Sequence, residues 1–593
     1  MAWRHHAFSK MEEEEKYTRI PDKEVFIKFI SFLAPFKLQV LILVVATFLR
    51  IGVNLFNPII TKNIIDAIIS YDLNLLLFNS LLLLGINLVN WALGYTRVYY
   101  TSWIGENLIY NIRKTMYNHL LRIQLTFFSE EETGRTVSKL TNDIDTIGNI
   151  FTGGLIDTLS DIVTLLGAVI IMFTMNVELS LIVISLIPII LTINLYLARK
   201  ARKAFRLSRR KIAEITSKIE QDVAGAKVIK SFSKRKEINI RDFMRVNLEN
   251  LQANVEATKI MSSIGPLMGL IRALGIAMII FYGGSLVNKG ILTIGTLVAF
   301  YSYVEMFFRP IQTLTLFYNS LQSTFAALER VIGFLDLEEE KYKGRKLKRI
   351  RGNIEYRNVT FGYEKDLPVI KNVSFSARNG ETVAIVGPTG AGKTTLINLL
   401  LRFYEPWSGE ILLDGVNIKE LSLDTIRRNI AYVPQEPILF TGTILENILI
   451  ADPKADRKNV EEAIAHLGLK PLIDTLPEGL DTKILEGGKN ISLGQRQVIS
   501  FLRTLLLNPA VIVLDEATSS LDIFTESILQ EALNKLSHGR TMLIIAHRLS
   551  TIKKADKIVV IKNGKKIAEG THDELMKTNV LYRKLYESQF ITI

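Results

Sequence analysis

The sequence contains no cysteine. That excludes a disulfide-stapled secreted scaffold, cysteine-ligated zinc, iron–sulfur clusters and cysteine-nucleophile chemistry. It fits a reducing compartment, a hot habitat or deliberate engineering. The first 21 residues hold the acidic run 12–15 but no signal-peptide pattern. Disorder is excluded as the main state, because 48% of the 593 residues are hydrophobic. Mean hydropathy is +0.23 although 22% of residues are charged. Such a mixture predicts a chain divided between apolar and polar parts. The net charge of +13 suits an anionic membrane surface or nucleic acid, and its distribution decides between them.

Six apolar runs occupy the N-terminal half, at 40–56, 73–93, 162–175, 179–198, 264–286 and 291–308. A bilayer core of about 30 Å needs roughly 20 apolar residues in a helix. The runs therefore predict six transmembrane helices, paired through short outer turns. Lys62 and Lys289 are the main cations of those turns. The segments 113–139 and 199–259 are dense in Lys and Arg. The positive-inside rule puts these segments, the N-terminus and everything after 308 in the cytoplasm. The positive charge is thus topological and calls for no nucleic-acid partner. Residues 23–36 predict an amphipathic helix on the cytoplasmic membrane face, or an extension of the first span broken at Pro35.

The stretches 95–150 and 199–261 are helical in pattern and too long for loops. They predict helices that continue well beyond the membrane and turn at 129–134 and at Ala224, Gly225 and Ala226. Polar side chains interrupt the apolar runs at Arg50, Asn54, Asn87, Asn90 and Arg272. An arginine at a helix centre costs about 2.5–3.5 kcal/mol on insertion scales, so Arg272 predicts a cavity or a partner, with Glu305 the candidate partner. These residues are candidates for contact with a transported substrate, or for pairing between helices.

After residue 334 the composition changes. A charged linker covers 335–353, and from 354 short β-branched runs alternate with helical stretches, which predicts an α/β domain to 593. The segment 387–395 reads GPTGAGKTT, between a strand pattern and a helix pattern. In that context Gly387, Pro388, Thr389, Gly390, Ala391 and Gly392 predict a loop whose amides close round a phosphate. Lys393 then reaches the β and γ phosphates, Thr394 offers a hydroxyl to Mg²⁺, and Thr395 completes the motif. The apolar run 510–514 ends in Asp515, suited to the magnesium shell, and Glu516, suited to polarise a water as general base. His547 follows another buried strand pattern and is either a γ-phosphate contact or structural.

The ordered set GPTGAGKTT, YVPQEP with Gln435, ISLGQRQ from Ile491, VIVLDEATSSLD and IAHRLST resembles the ATPase domain of ATP-binding cassette (ABC) transporters. The resemblance implies that Tyr363 stacks on adenine and that Gln435 joins the magnesium shell and senses the membrane domain. It implies that Ser492, Gly494 and Gln495 form the signature motif that caps a nucleotide held by a second chain. Asp522 belongs to the loop between the two sites, and His547 becomes the switch histidine. Leu493 departs from the family, which has glycine there. The first half resembles the membrane domain of ABC exporters. Residues 127–145 and the segment from Asp222 resemble its two coupling helices, and Phe308, Arg309 and Pro310 resemble its sixth helix.

The fold expected is an α-helical membrane domain over 23–334, behind a tail over 1–22, fused to an α/β P-loop ATPase of the ABC type over 354–593. The resemblance implies a half-transporter of the cell membrane that uses ATP and Mg²⁺ and dimerises with a second half-transporter chain. Glu516 favours a homodimer; a heterodimer stays open. The function implied is export of amphipathic drugs or lipids. A lipid flippase, a peptide exporter without a cysteine peptidase, and a cassette-gated channel are the alternatives. Six spans exclude a soluble cassette ATPase.

Overall fold

The computed structural model describes residues 22–347, 350–515, 523–545 and 552–590. They form two units. One holds the described residues of Met1–Leu121 and Thr133–Leu337, the other those of Arg122–Glu132 and Glu338–Ile593.

The first unit is helical. Helix α1 (Asp22–Leu33) meets α2 (Lys37–Ile69) through a 3₁₀ turn at Ala34–Phe36, where Pro35 has no amide to give. Next come α3 (Leu73–Leu120) and, in the other unit, the short α4 (Leu125–Glu130). A helical run over 133–155 leads into α5 (Ile156–Met175). Then follow α6 (Val177–Ala224), the short α7 (Ala226–Ser231), α8 (Ser233–Asn288) and α9 (Ile294–Leu335).

Capping residues set the turns between α2 and α3, α5 and α6, and α8 and α9. Asp72, Asn176 and Thr293 each accept the backbone amide three residues on, at 3.0, 3.0 and 3.1 Å. At 48 residues α3 and α6 each run about 72 Å, far beyond the roughly 30 Å of a bilayer core. These helices are thus longer than a bilayer core is thick, as their sequence pattern predicts. Ile27–Ile69, Leu73–Leu120, Ile156–Met175 and Lys236–Asn288 are long and apolar enough to span it. Among the described residues four helices meet the length criterion and the apolar stretches at Val177–Ile190 and Ile294–Phe307 are shorter, where the sequence predicts six spans. Side chains such as Phe48, Leu81 and Phe281 point outward, the last 84% exposed, which suits lipid and not water. Met172, Leu179, Met268, Phe300 and Phe307 pack inside.

The second unit is α/β. A four-stranded antiparallel sheet has the order β2–β1–β4–β5 (Ile370–Ala377, Ile354–Phe361, Ser408–Leu413, Val416–Asn417). A six-stranded sheet has the order β12–β11–β3–β10–β9–β6. Its strands are Lys565–Gly570, Lys557–Lys562, Thr382–Val386, Thr541–Ile545, Val511–Asp515 and Ile430–Val433. All pair in parallel except the edge strand β12. A two-stranded ladder joins β7 (Gly442–Thr443) to β8 (Lys483–Ile484).

The pleat divides the core. Ala384, Val386, Ile512, Leu514 and Ile544 enter one buried cluster, while Val383, Ile385, Val511, Val513 and Ile545 enter another. Both faces of the parallel sheet are therefore covered, which is why its strands read as continuous apolar runs.

Candidate functional site

Parallel pairing brings the carboxyl ends of four strands to one edge. Ile385 pairs with Ile545, Ile545 with Asp515, and Val433 with Leu514. Ligands of open α/β sheets bind outside such an edge. Gly387 follows β3, Asp515 closes β9, and Gln435 stands two residues past β6.

The loop after β3 turns into helix α10 (Lys393–Leu400) through Gly390 and Gly392, at φ 77° and 99°. A side chain there would be strained, so the glycine spacing of the motif is a backbone requirement. Pro388 is half-buried, Thr389 and Gly390 are exposed, and Ala391 is buried. Lys393 is buried, and its Nζ donates to the Gly387 carbonyl at 2.7 Å and the Pro388 carbonyl at 3.2 Å. The loop thus curls round a cation at the positive end of a helix, an arrangement that attracts a phosphate. Thr394 is exposed on the first turn. Thr395 is buried and accepts from the Tyr363 hydroxyl at 3.2 Å. Tyr363 is half-exposed and packs edge-on against Phe361 and Tyr404.

The Asp515 carboxylate is buried, and Tyr432 on β6 donates to it at 3.4 Å. Burial first, then the neighbouring Asp515 charge, pushes the Tyr432 hydroxyl above the usual phenol range. It therefore remains a donor at neutral pH. Sequence reasoning passed over Tyr432, and its place three residues before Gln435 was the available signal. Thr394, Asp515 and Gln435 offer oxygen donors on this edge, the ligand type Mg²⁺ takes. Glu516, Asp522 and His547 lie outside the described residues.

Ser492 is the N-cap of a further helix, Leu493–Leu507. Its Oγ accepts the Gln495 amide at 3.2 Å, while Gln495 Oε1 accepts the Ser492 amide at 3.0 Å. This capping box is worth on the order of 1 kcal/mol to the helix start. Gly494 is buried in the first turn, and Leu493 leaves the cap intact.

In the helical unit, Arg272 on α8 meets Glu305 on α9, with Nη1 to Oε2 at 3.1 Å. The two side chains are 48% and 35% exposed. A separate set links Arg50 to Asn90 (3.1 Å) and Asn90 to Asn54 (2.9 Å), across α2 and α3. Asn87 bonds only within its own helix among these contacts, to the Leu83 carbonyl. Asn87 aside, the structure thus gathers the polar candidates into two groups, with Asn90 as the bridge in the second. Sequence reasoning missed the Arg97–Asp157 ion pair and the Thr313–Asp161 bond, both between helices distant in sequence.

A phosphate-binding loop at a parallel-sheet edge, in one chain with membrane-length apolar helices, defines a membrane-spanning P-loop ATPase. Residues 40–311 match the family model of the ABC transporter transmembrane region, and 370–519 match that of the ABC transporter. The chain is 37% identical over 571 residues to the ABC transporter ATP-binding protein YknV of Bacillus subtilis, covering 95% of this chain and 94% of that one. It is 35% identical over 528 residues to the ATP-dependent lipid A-core flippase of Syntrophus aciditrophicus, covering 88% of each. YgaD of Bacillus subtilis, which carries a multidrug export ATP-binding/permease name, is 33% identical over 582 residues, covering 95% of this chain and 99% of that one. The chain belongs to the ABC transporter family, and its activity is ATP hydrolysis coupled to movement of a substance across a membrane.

Proposed function

We propose that the chain is an exporter half that works as a dimer, homodimeric in the simplest case, in the cell membrane with its ATPase domain in the cytoplasm. It moves amphipathic drugs or lipids outward. The observation that carries this reading is the fusion of the helical unit to an ATPase domain bearing both the 387–395 loop and the Ser492-capped helix, which we read as the signature motif. A signature motif serves a nucleotide held by another copy, so neither half of the site is complete in one chain.

Gly387 to Thr395 hold the phosphates, with Lys393 on the β and γ groups and Tyr363 on the base. Thr394, Asp515 and Gln435 would hold Mg²⁺, which offsets phosphate charge. Glu516 takes a proton from the attacking water, His547 contacts the γ-phosphate, and Asp522 lies between the sites. Two ATP molecules bind the closed state better than the open one, and this differential affinity drives alternating access. The direct test uses proteoliposomes loaded with a fluorescent phospholipid or a cationic dye. ATP-dependent movement of either supports export, and ATP hydrolysis with movement of neither across a broad panel rejects it.

The Arg272–Glu305 pair belongs to the substrate path in this reading. Charges this exposed are costly against lipid, so a wet cavity suits them better. A guanidinium there favours amphiphiles with an anionic or zwitterionic head, which also agrees with the flippase name of one relative. Arg50 and Asn54 form the second polar group facing that path. Arg272→Ala is expected to lower stimulation of ATP hydrolysis by an anionic lysophospholipid about tenfold relative to a neutral amphiphile, the size of one charge-assisted hydrogen bond. The rival outcome is structural. Both single variants would then melt earlier, Arg272→Glu with Glu305→Arg would recover the loss, and substrate preference would not move.

A further inference from the structure

The segment 338–345 lies outside both family matches, which cover 40–311 and 370–519. Within the second unit it forms an extended strap. At its start it pairs with the residues that lead into α4. The Gln124 amide donates to the Glu338 carbonyl at 3.4 Å, the Glu340 amide donates to the Arg122 carbonyl at 2.7 Å, and Ile123 faces Glu339 in an antiparallel bridge. At its end the Arg345 amide donates to the Glu420 carbonyl at 2.7 Å, and the Ser422 amide donates to the Arg345 carbonyl at 3.0 Å. Gly344 passes so close to Leu421 that a Cβ would lie 2.6 Å from the Leu421 carbonyl carbon. Only glycine allows that approach.

One ion pair pins the middle. Glu340 is 13% exposed in its side chain and accepts both terminal nitrogens of Arg427, at 2.9 and 2.7 Å. The guanidinium also lies 6.0 Å from the Tyr342 ring centre and 5.8 Å from that of Phe403. A bidentate, partly desolvated pair flanked by rings fixes geometry as well as contributing energy.

The elements it pins lead to the nucleotide site. Arg427 stands on the helix Leu423–Asn429, which runs directly into β6 and then Gln435. Phe403 lies just beyond the C-terminus of α10, whose first residue is Lys393. Arg402, also there, is buried and donates to the Leu421 carbonyl at 2.8 Å. Tyr404 donates to Ser129 Oγ of α4 at 3.4 Å. Both chain connections joined by the strap continue into long helices, since α3 ends at Leu120 and α9 at Leu335.

We infer that 338–345 is a coupling strap, and that Glu340 and Arg427 are positioning residues that tie movement of the Gln435 strand to the ends of α3 and α9. The inference rests on the pump reading above. A tether without fixed geometry would need none of these contacts. A rigid tie between the two chain connections and the nucleotide-site elements needs all of them.

The absence of cysteine makes the test clean. The full chain in lipid nanodiscs carries spin labels at Asn74→Cys, in the first turn of α3, and at Lys289→Cys, just past the end of α8. The readouts are the distance change on adding ATP and vanadate, ATP affinity, basal hydrolysis and thermal stability. Glu340→Gln and Arg427→Gln are each expected to keep affinity and basal hydrolysis within about threefold, while the population with the shifted distance falls at least about fivefold, the low end of usual coupling factors. Glu340→Arg combined with Arg427→Glu is expected to restore most of the shift. An undiminished shift in both single variants overturns the inference. So does a shift lost in step with ATP binding and thermal stability, which a merely structural pair would give. Hydrolysis without any shift in the otherwise unmodified labelled chain overturns the pump reading, and the strap with it.

Discussion

Replacement of Glu516 by glutamine is expected to leave ATP binding in place and to lower turnover by at least about 100-fold, in line with general-base magnitudes. The argument starts from Asp515. Its strand β9 is buried throughout and ends at the carboxyl edge of the parallel sheet, beside β10 and β6. Glu516 follows Asp515 in the sequence and lies outside the described residues, so its role as general base is the proposal this variant tests. In that role the Glu516 carboxylate would take a proton from water, and the amide keeps its shape without that basicity. Hydrolysis fails while the phosphate contacts survive, so ATP should hold two chains together. The measurements are phosphate release and the oligomeric state by size-exclusion chromatography, with and without ATP. Near-normal hydrolysis in Glu516→Gln would move the base elsewhere.

The parts of this molecule legible in the sequence are those set by local rules. The P-loop was legible because Gly390 and Gly392 meet a backbone requirement, and because the flanking strand and helix patterns supply its context. The length of α3, α6 and α8 was legible from helical periodicity running past the apolar stretches. The short turns between helices carry visible caps in Asp72, Asn176 and Thr293. The span count was less secure. Among the described residues four helices are long and apolar enough to span a bilayer, while the apolar stretches at Val177–Ile190 and Ile294–Phe307 are shorter.

What the sequence hides is pairing across distance. Arg427 and Glu340 are separated by 87 positions, and Arg97 and Asp157 by 60. No periodicity relates such residues; only the fold brings them together. The Arg272–Glu305 pair, 33 positions apart, was anticipated because a charge in an apolar helix demands a partner or a cavity. Charges in polar surroundings make no such demand, so the strap stayed unread inside a stretch that looks like a plain charged linker.

Lys393→Ala is expected to act on binding and not on the chemical step alone. In the structure Lys393 Nζ is buried and held by the Gly387 and Pro388 carbonyls, the backbone of the loop that would wrap a phosphate. Incoming phosphate oxygens compete for that ammonium, and the charge attraction favours them over neutral carbonyls. Removing the ammonium deletes a charge-assisted contact worth about 1.5–3 kcal/mol, which corresponds to a loss of affinity of roughly 10- to 150-fold. The same change removes both bonds that curl the loop, so the empty loop loosens as well. Binding of a fluorescent ATP analogue to the purified chain measures the first effect. A thermal melt without nucleotide separates it from the second. Unchanged affinity in Lys393→Ala, at matched melting temperature, would contradict the phosphate-binding role. The contrast with Glu516→Gln is itself diagnostic: one variant should bind ATP and fail to cleave it, while the other should fail before cleavage is reached.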